Sequence, residues 1–246
     1  MNGLTQSLLF PDWPAPASVR ACVTTRAGGI SLPPYDSFNL GDHVGDQPAA
    51  VAENRRRLSE AFGIQPAWLK QVHGLEVSDA DPSTVAEADA SWTSTPGIAC
   101  TVMTADCLPV LFCDRAGTRA AAAHAGWRGL AGGVLECTLD ALGVPAEDVL
   151  VWLGPAIGPQ AFEVGLEVRD AFTAVHPAAA AAFVAGDRPG KLMADIYALA
   201  RLRLAARGVT AVYGGGLCTV SDPRFFSYRR TPQGGRFASL VWLAPR

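Results

Sequence analysis

Lysine and histidine are scarce in this chain of 246 residues. Lys70 and Lys191 are the only lysines, which makes Schiff-base catalysis an unattractive reaction class. No apolar run approaches the ~20 residues that a transmembrane helix needs. The N-terminal segment carries neither a basic leader nor a long apolar core. We therefore expect a cytoplasmic protein with no membrane partner.

Several familiar catalytic motifs are absent as well. The sequence has no GxxxxGKS/T phosphate loop, no GxGxxG after a strand, no HExxH and no GxSxG. These absences weigh against P-loop nucleotide hydrolysis, dinucleotide redox chemistry and α/β-hydrolase chemistry. A net charge of −3 and a pI near 5.8 argue against nucleic acid as a partner. The six cysteines form no CxxC pair, so most are expected to be small buried hydrophobic residues in a reducing compartment.

The residues that are present describe a globular protein. A content of 49% hydrophobic and 17% charged residues is typical of a chain with a substantial core. Strands and helices are interspersed, and no linker or repeat interrupts them, which predicts an α+β fold with a single domain over residues 1–246. The predicted elements used below are strands at 98–103, 109–112, 119–124 and 149–153, and helices at 48–62 and 127–142.

One stretch, residues 101–129, concentrates side chains that can do chemistry. It places Cys107 and His124 at the ends of two predicted strands, and His73 lies one element upstream. A thiolate and two imidazoles suit Zn²⁺ with an open fourth position, as in catalytic zinc sites. Such an ion lowers the pKa of bound water or polarises a leaving group. The same donors also describe trigonal copper sites, so Cu²⁺ is an alternative.

A metal-free arrangement can use the same residues. Cys107 could be a nucleophile with His124 as its base and Asp106 nearby, as in Cys–His hydrolases. A third interpretation is that the cysteine is simply buried and the histidines have no common role. The residue types and their spacing leave these three interpretations open.

Candidate substrate contacts lie in two other segments. A long loop rich in Gly, Pro, Asp and Asn follows the first predicted strand, and loops of that kind are more often functional than idle. Arg26, Asn39 and His43 could face a site from it, although Asn39 could instead satisfy backbone groups within a turn. The arginine-rich segment 229–236 could bind an anion or form a solvated edge. We take Arg26, Asn39 and Arg229 as the candidates for substrate contacts.

The sequence resembles the YfiH family at motifs spread over residues 20–243. In chain order these motifs are TTRAGGIS, SFNLGDHVGD, NRRRL, QVHG, ADA, TADCLPVLF, AHAGWRGL, GPAIGPxxFEVG and FFSYRR followed by GGR. That family is also labelled laccase-domain, polyphenol oxidase, multifunctional purine nucleoside phosphorylase or peptidoglycan editing factor. The combination of motifs is highly specific.

The resemblance implies a fold and a site. The fold is a layered α/β/β/α sandwich with mixed sheets, and the site binds zinc. By motif, the metal ligands and catalytic residues are His73 in QVHG, Cys107 in TADC and His124 in AHAGWRG. Asp106 is expected to orient one of these ligands.

The resemblance also implies a reaction. Family members are reported to cleave adenosine, inosine, guanosine and methylthioadenosine with phosphate, giving the base and a ribose 1-phosphate, and to deaminate adenosine. The expected partners are therefore small purine nucleosides and phosphate. Two other classes stay open: a hydrolase that edits peptidoglycan precursors through Cys107 or zinc-bound water, and a non-catalytic cell-wall partner with a structural metal. Multicopper oxidase machinery needs more imidazole ligands than four histidines provide, so polyphenol oxidation would require a single copper ion.

Overall fold

This computed structural model describes residues 7–245. That part of the chain contains sixteen strands and five α-helices. The expectation about an N-terminal leader rests partly on residues 1–6, which lie outside the described residues. The strands are β1 (Leu8–Leu9), β2 (Val19–Thr24), β3 (Gln65–Ala67), β4 (Leu69–Lys70), β5 (Val77–Asp79), β6 (Ala86–Glu87), β7 (Ala90–Thr93), β8 (Ile98–Thr104), β9 (Leu108–Asp114), β10 (Ala120–Ala125), β11 (Val149–Leu153), β12 (Glu163–Gly165), β13 (Phe183–Ala185), β14 (Lys191–Ala194), β15 (Val212–Gly214) and β16 (Phe237–Leu243). The helices are α1 (Pro48–Phe62), α2 (Trp127–Gly132), α3 (Val134–Leu142), α4 (Leu166–Thr173) and α5 (Ile196–Ala206).

Two large mixed sheets form the centre of the molecule. One has five strands in the order β1-β2-β16-β8-β3, and the other has six in the order β15-β11-β9-β10-β7-β5. Most neighbouring strands are antiparallel, whereas the pairs β3/β8, β11/β15 and β5/β7 are parallel. Two small sheets, β12-β14-β13 and β4-β6, lie beside them.

Alternation of side chains along the central strands creates three apolar layers. In β8, Cys100 and Val102 join the core between the two sheets, while Ala99 and Met103 join a cluster that includes Leu58 of α1. In β9 and β11 the alternate residues join a third cluster with α3 and α5. Because successive side chains of a strand point to opposite faces, each central strand can be buried on both sides. The order of layers is therefore helix, sheet, sheet, helix, and the predicted α+β fold with α/β/β/α layers is confirmed.

The predicted helix 48–62 and the predicted strand 149–153 have the bounds that the structure gives them. The helix predicted over 127–142 is instead two helices that meet at Gly133. That residue has φ of 113°, and its N–H caps α2 by donating to the carbonyl of Gly129. Glycine adopts this backbone conformation without steric cost, so the chain turns there and begins α3.

No helix among residues 7–245 combines the length and the apolar content that crossing a bilayer requires.

Candidate metal centre and its cavity

Two connections and the end of one strand bring His73, Cys107 and His124 together. His73 lies in the bend after β4 and has a positive φ of 61°. Cys107 lies in the turn between β8 and β9, where the chain leaves the five-stranded sheet and enters the six-stranded one. His124 lies near the end of β10, opposite Pro109 of β9. Each side chain therefore projects from the point where a strand ends or begins.

The donor atoms of these three side chains lie close enough to share one ion. One ligand atom from each residue falls within 4.8 Å of the other two. The Sγ atom of Cys107 lies 3.7 Å from Nε2 of His73, and the two imidazole rings meet edge to face with centroids 4.7 Å apart. His124 is only 3% exposed, whereas Cys107 is half-buried and His73 is exposed. The cluster is thus open to solvent on the side of His73.

Asp89 holds both histidines, and sequence analysis did not identify it. Its buried carboxylate lies 2.7 Å from Nδ1 of His124 and accepts the backbone N–H of His73 at 2.9 Å. It also accepts the N–H groups of Val72 at 3.1 Å and Gly74 at 2.6 Å. Because Nδ1 of His124 donates to Asp89, Nε2 is the nitrogen left to accept a proton or bind a metal. The ADA motif of the family resemblance, residues 88–90, contains Asp89, but residue type and position gave it no role.

Cys107 and His124 form a charged pair in the absence of metal. Burial by itself raises the pKa of the Cys107 thiol, but the positive charge and hydrogen bond of His124, together with His73, outweigh burial and lower it. Burial lowers the pKa of His124, while the Cys107 thiolate and the Asp89 carboxylate outweigh it and raise that pKa. The thiolate is the form of cysteine that binds metals and attacks electrophiles.

Gly126 provides the space that the cluster needs. A Cβ atom at this position would lie 2.5 Å from Cδ2 of His73 and 3.2 Å from Sγ of Cys107. Any larger residue would therefore displace the His73 ring. This close approach of side chains explains why a glycine stands directly before α2.

Gln71 ties the histidine-bearing bend to the first sheet. Its side-chain Nε2 donates to the carbonyl of Met103 at 2.8 Å, and its Oε1 accepts the N–H of Met103 at 2.7 Å. The side-chain amide thereby bonds both the N–H and the carbonyl of one β8 residue, as the backbone of a neighbouring strand would. The bend is thus fixed to the five-stranded sheet by Gln71 and to the six-stranded sheet by Asp89.

A cavity of about 510 Å³ borders the cluster. This volume lies within the range of small-molecule sites. Part of its wall is apolar, formed by Met103, Ile157, Phe162 and Ile196. Its cationic side chains are Arg128, Arg229 and Arg236, and His43 also lines it.

Of the predicted substrate contacts, the structure brings only Arg229 into the cavity wall. The guanidinium of Arg26 lies 2.9 Å from the carboxylate of Asp36 and 5.3 Å from the ring centroid of Phe226, outside the lining residues. Asn39 is fully buried, and its amide accepts the N–H groups of Gly41 and Arg236. The alternative reading of Asn39, a side chain that satisfies backbone groups within a turn, describes the contact with Gly41, whereas Arg236 lies 197 positions away.

Asp106 lines the cavity but has partners other than the one expected. Its carboxylate accepts the hydroxyl of Thr219 at 2.6 Å and the backbone N–H of Arg229 at 2.6 Å. It makes no hydrogen bond to His73, Cys107 or His124 among the described residues. The carboxylate that contacts a histidine ring here belongs to Asp89, and Asp106 instead positions the segment that carries Arg229.

The donor set fits a tetrahedral zinc ion. With Zn–S near 2.3 Å and Zn–N near 2.0 Å, a tetrahedral angle places sulfur and nitrogen about 3.5 Å apart. The distance of 3.7 Å between Cys107 and His73 matches that spacing. Three protein ligands would leave one coordination position open, and all three side chains line the cavity. The donor types do not distinguish zinc from copper, because two imidazoles and a thiolate suit either metal.

The electrostatics of Cys107 predict selective alkylation. In metal-free protein at neutral pH, iodoacetamide should modify Cys107 well before Cys22, Cys100 and Cys113, because burial raises the pKa of each of these three thiols to about 12. Since the pKa of Cys107 is lowered, its alkylation should slow only at pH values below the pKa of an ordinary thiol, ~8.5. Peptide mass spectrometry against time and pH measures this.

Zinc provides the control for that experiment. One equivalent of Zn²⁺ should protect Cys107 from iodoacetamide, because a coordinated thiolate no longer attacks. Modification of Cys107 at the rate of Cys22, or a rate that zinc leaves unchanged, would contradict the assignment.

The chain matches one family profile and close relatives over nearly its whole length. Residues 20–244 match the profile of a family described as multi-copper polyphenol oxidoreductase laccase. A Pseudomonas aeruginosa protein named purine nucleoside phosphorylase is 70% identical over 236 residues, covering 96% of this chain and 98% of its own. An Escherichia coli protein named purine nucleoside phosphorylase YfiH is 57% identical over 242 residues, with 96% and 98% coverage.

Solved structures share the fold. A crystal structure of a Neisseria meningitidis protein superimposes with a TM-score of 0.94 at 54% identity, covering 97% of this chain and 100% of its own. The crystal structure of YlmD from Geobacillus stearothermophilus gives a TM-score of 0.81 at 31% identity, with 93% of each chain covered. In both comparisons the match covers nearly the whole of this chain and of the solved chain.

Proposed function

The chain belongs to the family described as multi-copper polyphenol oxidoreductase laccase, and from that membership we propose that it is a metal-dependent purine nucleoside phosphorylase. It would cleave adenosine, inosine, guanosine and methylthioadenosine with inorganic phosphate. A secondary deamination of adenosine to inosine belongs to the same proposal. Relatives that are 57% and 70% identical carry the name purine nucleoside phosphorylase, which supports the phosphorolysis.

One observation carries the proposal: the donor atoms of His73, Cys107 and His124 lie within 4.8 Å of one another in the wall of a cavity large enough for a small molecule. A structural metal site is normally closed by four protein ligands, whereas a catalytic one keeps a position open. The described residues offer three such donors here. A cavity beside an open position supports an enzyme rather than a purely structural role.

We assign zinc to these three residues. Bound there, it would supply Lewis-acid chemistry and activate water for deamination. Asp89 binds Nδ1 of His124 and so leaves Nε2 as the nitrogen for the metal, and its bonds to the bend fix the backbone of His73. Gly126 allows the His73 ring to lie beside Cys107.

The cavity wall supports a nucleoside as substrate. Its apolar part, which includes Met103 and Phe162, suits the faces of a purine ring, and its arginines suit phosphate. We propose Arg229 as a substrate contact, since it lines the cavity while its guanidinium is held by two carbonyl oxygens. We further propose that residues 1–246 act as one domain in the cytoplasm; all six cysteines are free thiols, which supports a reducing compartment.

Chromatography of adenosine and inosine incubated with the zinc-loaded protein tests the proposal. Free adenine and hypoxanthine should appear in phosphate buffer and not in a buffer without phosphate, with an equal amount of ribose 1-phosphate. Inosine formed from adenosine without phosphate would report deamination separately. No conversion of either nucleoside by protein of verified zinc content would contradict the proposal.

The description of the family favours one second candidate, the oxidation of phenols by a single bound copper ion. The Cys107, His73 and His124 donors suit copper as well as zinc. Copper-loaded protein and zinc-loaded protein should be compared on a phenolic substrate. Phenol oxidation by the copper form without any nucleoside cleavage by the zinc form would favour the oxidase.

A further inference from the structure

The three arginines in the cavity wall differ in how their guanidinium groups are used. Arg229 donates from Nη1 to the carbonyl oxygen of Ala161 and from Nη2 to that of Glu163, both at 3.2 Å, so each of its two Nη atoms already has a partner. Arg128 packs over the ring of Trp127, with 4.4 Å from its Cζ to the ring centroid, and is exposed. Arg236 is half-buried, and its surroundings set it apart from both.

Arg236 has donors that no described residue uses. Its Nη1 donates to the carbonyl oxygens of Gly234 and Gly235, both at 3.0 Å. Its Nε and Nη2 make no hydrogen bond, and no carboxylate pairs with it, among residues 7–245. Burial lowers the pKa of Arg236 although the nearby Cys107 and Asp106 charges raise it. A partly desolvated cation without a bound anion is unfavourable, so this position is prepared for an anion that comes from solution.

The position of Arg236 is fixed by its neighbours. Asn39, which is fully buried, accepts its backbone N–H at 2.9 Å. A Cβ atom on Gly41 would lie 2.9 Å from its Cγ, so the glycine leaves room for the arginine stem. The ring of Tyr228 lies 5.9 Å from its guanidinium carbon. These contacts hold the side chain in the wall and distinguish it from a solvated surface arginine.

We propose that Arg236 binds the inorganic phosphate that attacks the nucleoside, through its unused Nε and Nη2 donors. This inference rests on the proposed function. Two parallel N–H donors on a planar guanidinium match two phosphate oxygens. In the step that follows, a phosphate oxygen forms the bond to C1′ while the bond from C1′ to the base nitrogen breaks. The base leaves with that electron pair and takes up the proton that the phosphate carried.

Steady-state kinetics of the zinc-loaded protein give the first test. Arg236→Gln should raise KM for phosphate roughly 10- to 100-fold, as expected for the loss of charge-assisted hydrogen bonds. The KM for inosine should stay unchanged, and Arg236→Lys should recover part of the loss. Arg169→Gln on α4, whose arginine pairs with Asp170 outside the cavity, is the matched control. A rise in KM for inosine instead of phosphate would overturn the inference.

Alkylation of Cys107 gives a second test that does not depend on phosphorolysis. Inorganic phosphate should slow the reaction of metal-free wild type with the anion iodoacetate more than with neutral iodoacetamide, and Arg236→Gln should remove that protection. Should the wild type lack phosphorolysis yet show this protection, the anion site would stand and the proposed function would fail. Protection that survives in Arg236→Gln, or that disappears only in Arg128→Gln, would overturn the site.

Discussion

Replacing Cys107 with alanine should lower the rate of phosphate-dependent nucleoside cleavage roughly 10³-fold, which corresponds to about 4 kcal/mol of transition-state stabilisation. The thiolate is the one anionic donor in the cluster of three, so its removal leaves two neutral imidazoles and a weak site. Zinc content after gel filtration should fall together with activity. Product chromatography and metal analysis on the same preparation measure both quantities.

Cys137→Ala is the matched control for that experiment. Cys137 lies on α3, is half-buried, and has a raised pKa because of burial and nearby acidic residues. It lines no part of the cavity, so its replacement should leave zinc content and cleavage unchanged. If Cys107→Ala kept full activity and full zinc content, the cluster would have no catalytic role.

Replacing Asp89 with asparagine should weaken zinc binding roughly 10- to 100-fold, as the loss of a partner behind a metal-bound histidine does. One carboxylate oxygen accepts from His73 N–H and His124 Nδ1, and the other accepts from Val72 and Gly74. An amide must present its NH₂ group to one of these pairs of donors. In either orientation the NH₂ group faces N–H donors and cannot accept their hydrogen bonds. The loss loosens either the His124 ring or the bend that carries His73.

A competition titration with a chelating dye measures the zinc affinity of this variant. Asp114→Asn is the control, because Asp114 is also buried and accepts two backbone N–H groups, from Thr118 and Arg119, without contacting a histidine. Both variants should lose stability, since each buried unsatisfied donor costs about 1–3 kcal/mol. Only Asp89→Asn should lose zinc affinity. Equal zinc affinity in the two folded variants would show that Asp89 has no role at the metal.

Local pattern was sufficient to predict much of the fold. The apolar run Val149–Leu153 and the amphipathic helix Pro48–Phe62 have the predicted bounds because their side-chain periodicity is a property of the segment itself. The order of the layers came from family resemblance. Pattern alone failed at Gly133, where a glycine within a helical stretch turns the chain instead of continuing it. Whether a glycine is tolerated or used as a cap depends on what packs around it.

Prediction of the site was limited by contacts between distant residues. Cysteine and histidine are rare and chemically distinctive, so Cys107, His73 and His124 could be selected from residue type and position. Aspartate is common, and although Asp89 lies in the ADA motif, its residue type and position do not indicate a role at the metal centre. Its role depends on contact with His124, which is 35 positions away. In the same way, one of the groups that the Asn39 side chain binds, the backbone N–H of Arg236, is 197 positions away.

The position of the donors across the two sheets has a thermodynamic consequence. Cys107 lies where the chain crosses between the sheets, His124 belongs to the six-stranded sheet, and Gln71 ties the bend carrying His73 to the five-stranded sheet. Shear of one sheet over the other would separate the three donors. An ion that binds all of them opposes that shear, so metal affinity and folding stability form one linked equilibrium. Every contact in the core between the sheets thereby contributes to the affinity of a site that it does not touch.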